Sequence, residues 1–263
     1  MMTNLLRWPG ALAALVFSTA CATTPPPAPA PAAAPAPPTD HEPAAYAGHH
    51  HGHHGAGPHD GAAAGHHGGH QGHFERRFQG AEEWAKVFDA PDRDGWQRPA
   101  EVVAALALPP GARVADLGAG TGYFATRLAR AVPAGLVYAV DLEDDMVAYL
   151  GQRAAREGLK NLRPVRGAAD DPHLPEAVDL ILVVDTYHHI AARPRFFAAL
   201  SSRLRPGGRL AIIDFKRESP MGPPPEHRIP PQTVAAELAE AGYRQVQDHA
   251  LLEHQYFLVF QRR

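Results

Sequence analysis

Residues 114–124 read Val-Ala-Asp-Leu-Gly-Ala-Gly-Thr-Gly-Tyr-Phe. Gly118, Gly120 and Gly122 permit positive φ and let a ligand come close to the backbone. Asp116 stands just before them, where a carboxylate is a poor neighbour for a pyrophosphate and a good one for an ammonium, such as that of a methionine moiety. The run Gly-Thr-Gly-Tyr-Phe-Ala (120–125) also matches a dinucleotide fingerprint, so the glycines alone leave the nucleotide open. Asp141, about twenty residues on, can accept both hydroxyls of a ribose in either case. Asp170 or the adjacent Asp171 could reach an adenine amino group, or could simply make a turn before Pro172. Asp185-Thr186-Tyr187-His188-His189 offers three side chains able to take a proton from a phenol, enol or amine: Asp185, His188 and His189. The plainer reading of that run is one packed histidine and one helix cap.

A second group of candidate ligands lies upstream. Of 17 histidines in the chain, 11 fall between His41 and His73, separated by Gly and Ala. Neutral imidazole binds late first-row metals, and His49, His50, His51, His53, His54, His59, His66 and His67 could gather around Zn, Ni or Cu. A polar disordered linker that happens to use His is the simpler reading, since no fixed ligand geometry can be read from such a tract.

These groups need elements to hold them. Arg113–Leu117, Leu136–Asp141, Leu162–Gly167, Val178–Val184 and Arg209–Phe215 read as short apolar strands. Helical periodicity covers Phe74–Phe88, Trp96–Leu108, Gly122–Val132, Asp144–Glu157, Arg193–Leu204 and Pro231–Ala241. Gln245–Leu251 and Gln255–Phe260 close the chain as two strands joined by a short turn, so the last strand should run antiparallel. Strands alternating with helices predict an α/β fold, a doubly wound, Rossmann-like and mostly parallel sheet. Its carboxyl edge carries every acidic candidate above, and ligands bind at that edge. Two flanking segments could border the site. Trp96 and Gln97 precede the first strand, although a Trp used only for packing is the blander alternative. Ser219–Pro231, with His227 and Arg228, could be a substrate lid or only a stiff connector.

The first third has another character. Trp8–Phe17 is a short apolar run after Arg7, followed by Ser18-Thr19-Ala20 and the sole cysteine, Cys21. It is too short to span a bilayer and fits an export signal over residues 1–20. The small residues before Cys21 resemble a bacterial lipobox, with Ser18 where Leu is usual, so the expectation is a lipid-anchored protein on the periplasmic side of a membrane. An ordinary secretory signal with an incidental cysteine is the alternative. Residues 21–40 alternate Pro and Ala, a polyproline stalk reaching on the order of 60 Å. Residues 41–73 form the His/Gly-rich segment, expected to be disordered, and 74–263 the folded domain. One cysteine excludes an internal disulfide and a Cys-based zinc site. With a formal net charge of -3 and no basic stripe, nothing points to nucleic acid.

Taken together, the glycine motif resembles motif I of the class I S-adenosylmethionine-dependent methyltransferases. Val140-Asp141 looks like their acidic position after the second strand, Val183–Ile190 like their fourth-strand motif, and Leu204–Leu210 (LRPGGRL) like the start of their fifth strand. The resemblance covers about Glu82 to Phe260 and is strongest to the small-molecule methyltransferases of the ubiquinone/menaquinone type. It implies a seven-stranded sheet of order 3-2-1-4-5-7-6. It also implies S-adenosylmethionine held by Asp116, Gly118, Gly120, Thr121, Gly122, Asp141, Leu142, Asp170 and Asp185, and a small-molecule methyl acceptor. Two alternatives remain: an exported metal-binding protein with a non-catalytic domain of this kind, and a nicotinamide-dependent oxidoreductase. The acceptor and the oligomeric state are not legible.

One outcome is expected from the histidines alone. Deleting residues 41–73 should abolish most Zn or Ni binding near neutral pH, and in the full chain that binding should fade below about pH 6 as imidazoles protonate. Metal titration of both chains followed by calorimetry measures it.

Overall fold

The structure, a computed structural model, describes Phe78 and residues 80–263. The expectations for the export signal, Cys21, the stalk and the histidine segment lie outside these residues.

Three short helices lead in: α1 (Ala81–Phe88), α2 (Arg93–Gln97) and α3 (Pro99–Ala105). Then follow β1 (Arg113–Leu117), α4 (Tyr123–Ala131), β2 (Leu136–Asp141), α5 (Asp144–Arg156), β3 (Leu162–Arg166) and β4 (Val178–Val184). A 3₁₀ turn over Tyr187–His189 precedes α6 (Arg193–Leu200). The chain ends with β5 (Leu204–Phe215), α7 (Pro231–Glu240), β6 (Tyr243–Asp248) and β7 (Gln255–Arg262). The seven strands form one sheet of order β3-β2-β1-β4-β5-β7-β6, the order the resemblance implies. Neighbours pair in parallel from β3 to β5, and β7 pairs antiparallel with both β5 and β6.

Hydrophobicity explains the layering. Strands buried on both faces should be apolar almost throughout, and β4, Val-Asp-Leu-Ile-Leu-Val-Val, is. Alternate residues feed two cores. Leu180, Leu182 and Val184 join Val102, Leu128 and Leu150 on the α3–α4–α5 side. Ile181 and Val183 join Phe197, Val234 and Leu238 on the α6–α7 side. Outside the sheet edge, Glu237 of α7 ties α6 down: it accepts both Arg193 nitrogens, at 2.7 and 2.8 Å, and the Tyr187 hydroxyl at 2.6 Å.

Several element bounds differ from the sequence reading. The helix expected over 96–108 is two helices, broken at Arg98, whose φ is 46°. Pro99 causes the break: its ring excludes the right-handed helical conformation at the preceding residue, and it then starts α3 as a favoured first residue. The helix expected to reach Leu204 stops at Leu200 and tightens into a 3₁₀ turn over Ser201–Arg203. Strand β5 therefore begins at Leu204, and Pro206-Gly207-Gly208 lies inside it as a bulge: Val178 faces Leu204, while Leu180, two residues on, faces Arg209. The helix expected from Phe74 is described only as Ala81–Phe88, β6 occupies 243–248 rather than 245–251, and β7 runs on to Arg262.

Leu182 has no exposed surface at the centre of the sheet. Leu182→Ala should destabilise the domain by roughly 2–5 kcal/mol, the range for emptying a well-packed core position. Urea unfolding with an unchanged slope and a lower midpoint is the expected result.

Candidate active site

Strand order reverses between β1 and β4, and the loops leaving these two strands diverge around a crevice. The glycine loop fills one side. Gly118 and Ala119 both donate to the Val140 carbonyl at 2.9 Å, and Gly120 N–H donates to Asp141 Oδ2 at 2.8 Å. Close approach decides the glycines. A Cβ on Gly118 would lie 2.3 Å from Thr186 Oγ1, just past β4, and φ there is 72°. Gly122 opens α4 at φ 94°, where a Cβ would lie 2.8 Å from Leu150.

Asp116 sits beneath this loop, only 3 % exposed, and its Oδ2 has no hydrogen-bond partner. The hydroxyl of Thr121 is also buried and unpartnered. Burial pushes the Asp116 carboxyl up to about 7, against the pull of the Arg93 guanidinium. Asp141 is raised too, first by burial, although the backbone N–H groups of Glu143, Gly120 and Leu142 oppose it. Leu142 is 46 % exposed beside it, a large apolar side chain left facing outward. These features fit S-adenosylmethionine: a buried carboxylate with one free oxygen for the ammonium, glycines for close contact, Asp141 for the ribose diol, and Leu142 for the face of the adenine.

Asp185 closes the other side of the crevice. It follows β4 at φ 53°. Gln97 Nε2 donates to its Oδ2 at 3.1 Å, Gln255 Nε2 donates to its Oδ1, and Arg93 lies 3.6 Å from Oδ2. Burial raises its carboxyl to about 6, with Arg93 opposing and Asp214 adding to the rise. With both oxygens accepting hydrogen bonds, Asp185 anchors Gln97, Gln255 and Arg93. Gln97 borders the site as expected, and Trp96 packs on Phe215, ring centres 5.9 Å apart.

His188 is 8 % exposed and its Nδ1 lies 2.8 Å from Asp214 Oδ2. Burial disfavours the imidazolium, but the Asp214 carboxylate and its hydrogen bond outweigh this, so the pKa of His188 is raised. His189 packs against it, ring centres 4.2 Å apart, and against Phe78. Asp214 and Arg93 were missed in the sequence. Asp214 ends an apolar run, Ala211-Ile212-Ile213, where a buried acid is the visible signal. Arg93 had none, because only the fold brings it over the Tyr123 ring, 4.0 Å away, and beside Asp185.

Asp170 is exposed in the turn after β3, and Asp171 makes that turn by accepting His173 N–H at 2.8 Å. Arg228 does not face a ligand. It is buried, and its guanidinium binds the carbonyls of Pro223, Arg217 and Ser219, clipping the loop after β5 to itself. Among the described residues no cluster of His, Cys, Asp and Glu could hold a metal, and no helix is long and apolar enough to cross a membrane.

Comparison with known proteins bears on the same region. Residues 114–208 match the family model described as a methyltransferase domain. The chain is 38 % identical over 108 residues to a malonyl-[acyl-carrier protein] O-methyltransferase of Methylococcus capsulatus, covering 41 % of this chain and 38 % of that one. It is 29 % identical over 123 residues to a ubiquinone/menaquinone biosynthesis C-methyltransferase of Bordetella parapertussis, covering 46 % and 48 %. It thus spans less than half the length of these curated relatives. A solved S-adenosylmethionine-dependent methyltransferase from Aquifex aeolicus superposes with a TM-score of 0.63 at 29 % identity, over 68 % of this chain and 96 % of that one. The fold is that of the class I methyltransferases.

The raised Asp116 carboxyl sets a pH dependence. Between the ordinary carboxylate value of 3.8 and about 7 the folded, cofactor-free protein holds a proton that the unfolded chain does not. Its stability therefore falls as pH rises through that window. A bound ammonium favours the ionised carboxylate, so binding near pH 6 should release a proton, and affinity for S-adenosylmethionine should rise from pH 6 to pH 8. Calorimetry in buffers of different ionisation enthalpy detects the release, and Asp116→Asn should remove it.

Proposed function

We propose that this protein transfers the methyl group of S-adenosylmethionine to a small-molecule acceptor. The observation that carries the reading is the buried Asp116 carboxylate, its Oδ2 without a partner, beneath a glycine loop at the switch point of a methyltransferase sheet. A nicotinamide dinucleotide would place its pyrophosphate against that carboxylate, so Asp116 argues for the cationic ligand. When bound, S-adenosylmethionine supplies a methyl group on a positively charged sulfur that leaves as a neutral thioether.

The chain's own residues then have three tasks. The glycine loop and Asp141 fix the nucleoside, which converts a bimolecular displacement into an oriented one. Arg93, Gln97 and Gln255 lock Asp185 and so hold α2 and β7 over the crevice. His188, oriented through Nδ1 by Asp214, is the proton acceptor for the attacking group. The lipid anchor and the metal-binding histidine segment remain part of the proposal for residues 1–73, with the protein held at the outer side of a membrane.

Titrating the full chain with S-adenosylmethionine, its demethylated product and NAD tests the cofactor. Binding of the first two and none of NAD is expected. Asp141→Ala should weaken S-adenosylmethionine by about 1.5–3 kcal/mol, the range for hydrogen bonds to a charged group. Tight NAD binding with no response to S-adenosylmethionine would sink the reading.

A further inference from the structure

Three aromatic side chains upstream of the sheet stand at the crevice rather than in a core. Phe78, Trp84 and Phe88 belong to neither hydrophobic cluster, and Ala81 is the one buried residue of α1. Their rings pack on one another. Phe78 lies 5.0 Å from Trp84 and 5.8 Å from Phe88, and Trp84 stacks on Phe88 at 5.2 Å. The group reaches both walls. Phe88 lies against Gly120 of the glycine loop, where an added Cβ would come within 3.3 Å of its ring. Phe78 meets His189, just after β4, edge to face at 5.5 Å. All three rings are only half-buried. A helix kept for stability alone would place such rings in a core, because burial is what they contribute.

Polar contacts hold α1 instead. At its start, Asp145 of α5 accepts the Gly80 and Ala81 N–H groups. At its end, Arg153 Nη1 donates to both Asp89 oxygens at 2.9 Å and to the Thr121 carbonyl at 3.0 Å. One nitrogen therefore joins the end of α1 to the glycine loop. Arg93 does the same on the other wall: it donates to the Phe88 carbonyl at 2.6 Å and lies 3.6 Å from Asp185 Oδ2. An element held by a few such contacts, with little apolar burial, opens at lower cost than one packed into a core.

Resting on the S-adenosylmethionine reading, we propose that α1 and Phe78 form a cover that opens to admit the cofactor and closes over it, and that Arg153 is the positioning residue that couples this cover to the glycine loop. The bound cofactor completes the burial that the three rings lack, so filling the crevice favours the closed state. Closure also expels water, which strengthens the attraction between Asp116 and the ammonium.

Rates of binding decide it. Stopped-flow mixing of the full chain with S-adenosylmethionine gives association, and chasing the complex with the demethylated product gives dissociation. Hydrogen exchange of the ligand-free protein reports the coupling. In Phe88→Ala both rates should rise about tenfold, near the upper end for loss of aromatic pairs, because entry and exit both wait on the cover. A residue that only touched the ligand would raise dissociation alone. Arg153→Met and Asp89→Asn should also raise both rates, and should speed exchange in α1 and in residues 118–122 together while β4 stays protected. Arg153→Lys, which keeps the charge, should restore most of the wild-type behaviour. Protection of β4 shows that a variant is folded, and if Arg153→Met does not fold, Asp89→Asn carries the test. Dissociation rising alone in Phe88→Ala overturns the cover. Faster exchange in α1 with an unchanged glycine loop in Asp89→Asn overturns the coupling. Binding with unchanged rates in every variant overturns the cover and leaves the cofactor reading intact, whereas a wild type that binds no S-adenosylmethionine overturns the cofactor reading and the cover's task with it.

Discussion

Taking a carboxylate out of water without a counter-charge is expensive, and the domain does this with Asp116 at the end of β1. Much else in the crevice follows from that burial. Oδ2 of Asp116 is left without any partner. The loop above must be glycine-rich, because its backbone passes within contact of Thr186 and Leu150 where side chains would collide. Arg93, the nearest cation, is not spent on Asp116. Its guanidinium donates to the Phe88 carbonyl at 2.6 Å and lies over Tyr123. A protein that only needed stability would replace Asp116 with an apolar residue. Keeping the acid makes sense where a cationic ligand completes it.

A second constraint is the carboxylate at the end of β4. Asp185 is the point where three distant segments meet: Arg93 and Gln97 from α2, and Gln255 from the start of β7. Gln97 also donates to Gln255 Oε1 at 3.1 Å, so the three polar side chains form a closed network with every partner satisfied. Such a network holds position better than apolar packing would, because a shift of any member leaves a buried polar group unpaired. The lead-in helix α1 is tied to the same body from its other end. Asp145 of α5 accepts the Gly80 and Ala81 N–H groups, and Arg153 of α5 pairs with Asp89 at 2.9 Å.

Local signals made the sheet legible. The apolar β4 run, the glycine loop and the alternation of strands and helices each follow from residues close together in the chain, and the strand order came with the family resemblance. Asp116, Asp141, Asp185 and His188 were readable because each ends or follows a strand at the carboxyl edge. Arg93, Asp214 and Gln255 were not, since their importance lies in contacts with residues 26 to 158 positions away. Pro206-Gly207-Gly208 misled for the opposite reason. The tripeptide reads as a helix stop before a strand, yet β5 is long enough to absorb it as a bulge.

The backbone at Asp185 joins the two functional sides. Its φ of 53° is a left-handed conformation that costs a residue with a Cβ on the order of 1–2 kcal/mol, although Asp tolerates it better than most. Glycine would relieve that strain, but would leave Gln97, Gln255 and Arg93 without their anchor. The turn is stapled nonetheless: Asp185 N–H still donates to the Ile213 carbonyl at 2.9 Å, and His189 N–H closes the 3₁₀ turn on Thr186. Before the kink, alternation places Asp116 with Val114 in the core on the α3–α4–α5 side. After it, Tyr187 lies in the core on the α6–α7 side, and His188 meets Asp214 beside Tyr256. The strained residue is thus where the chain passes from the face of the sheet that carries Asp116 to the face on which His188 meets Asp214. Relaxing the backbone there would shift His188 relative to Asp116 and the glycine loop.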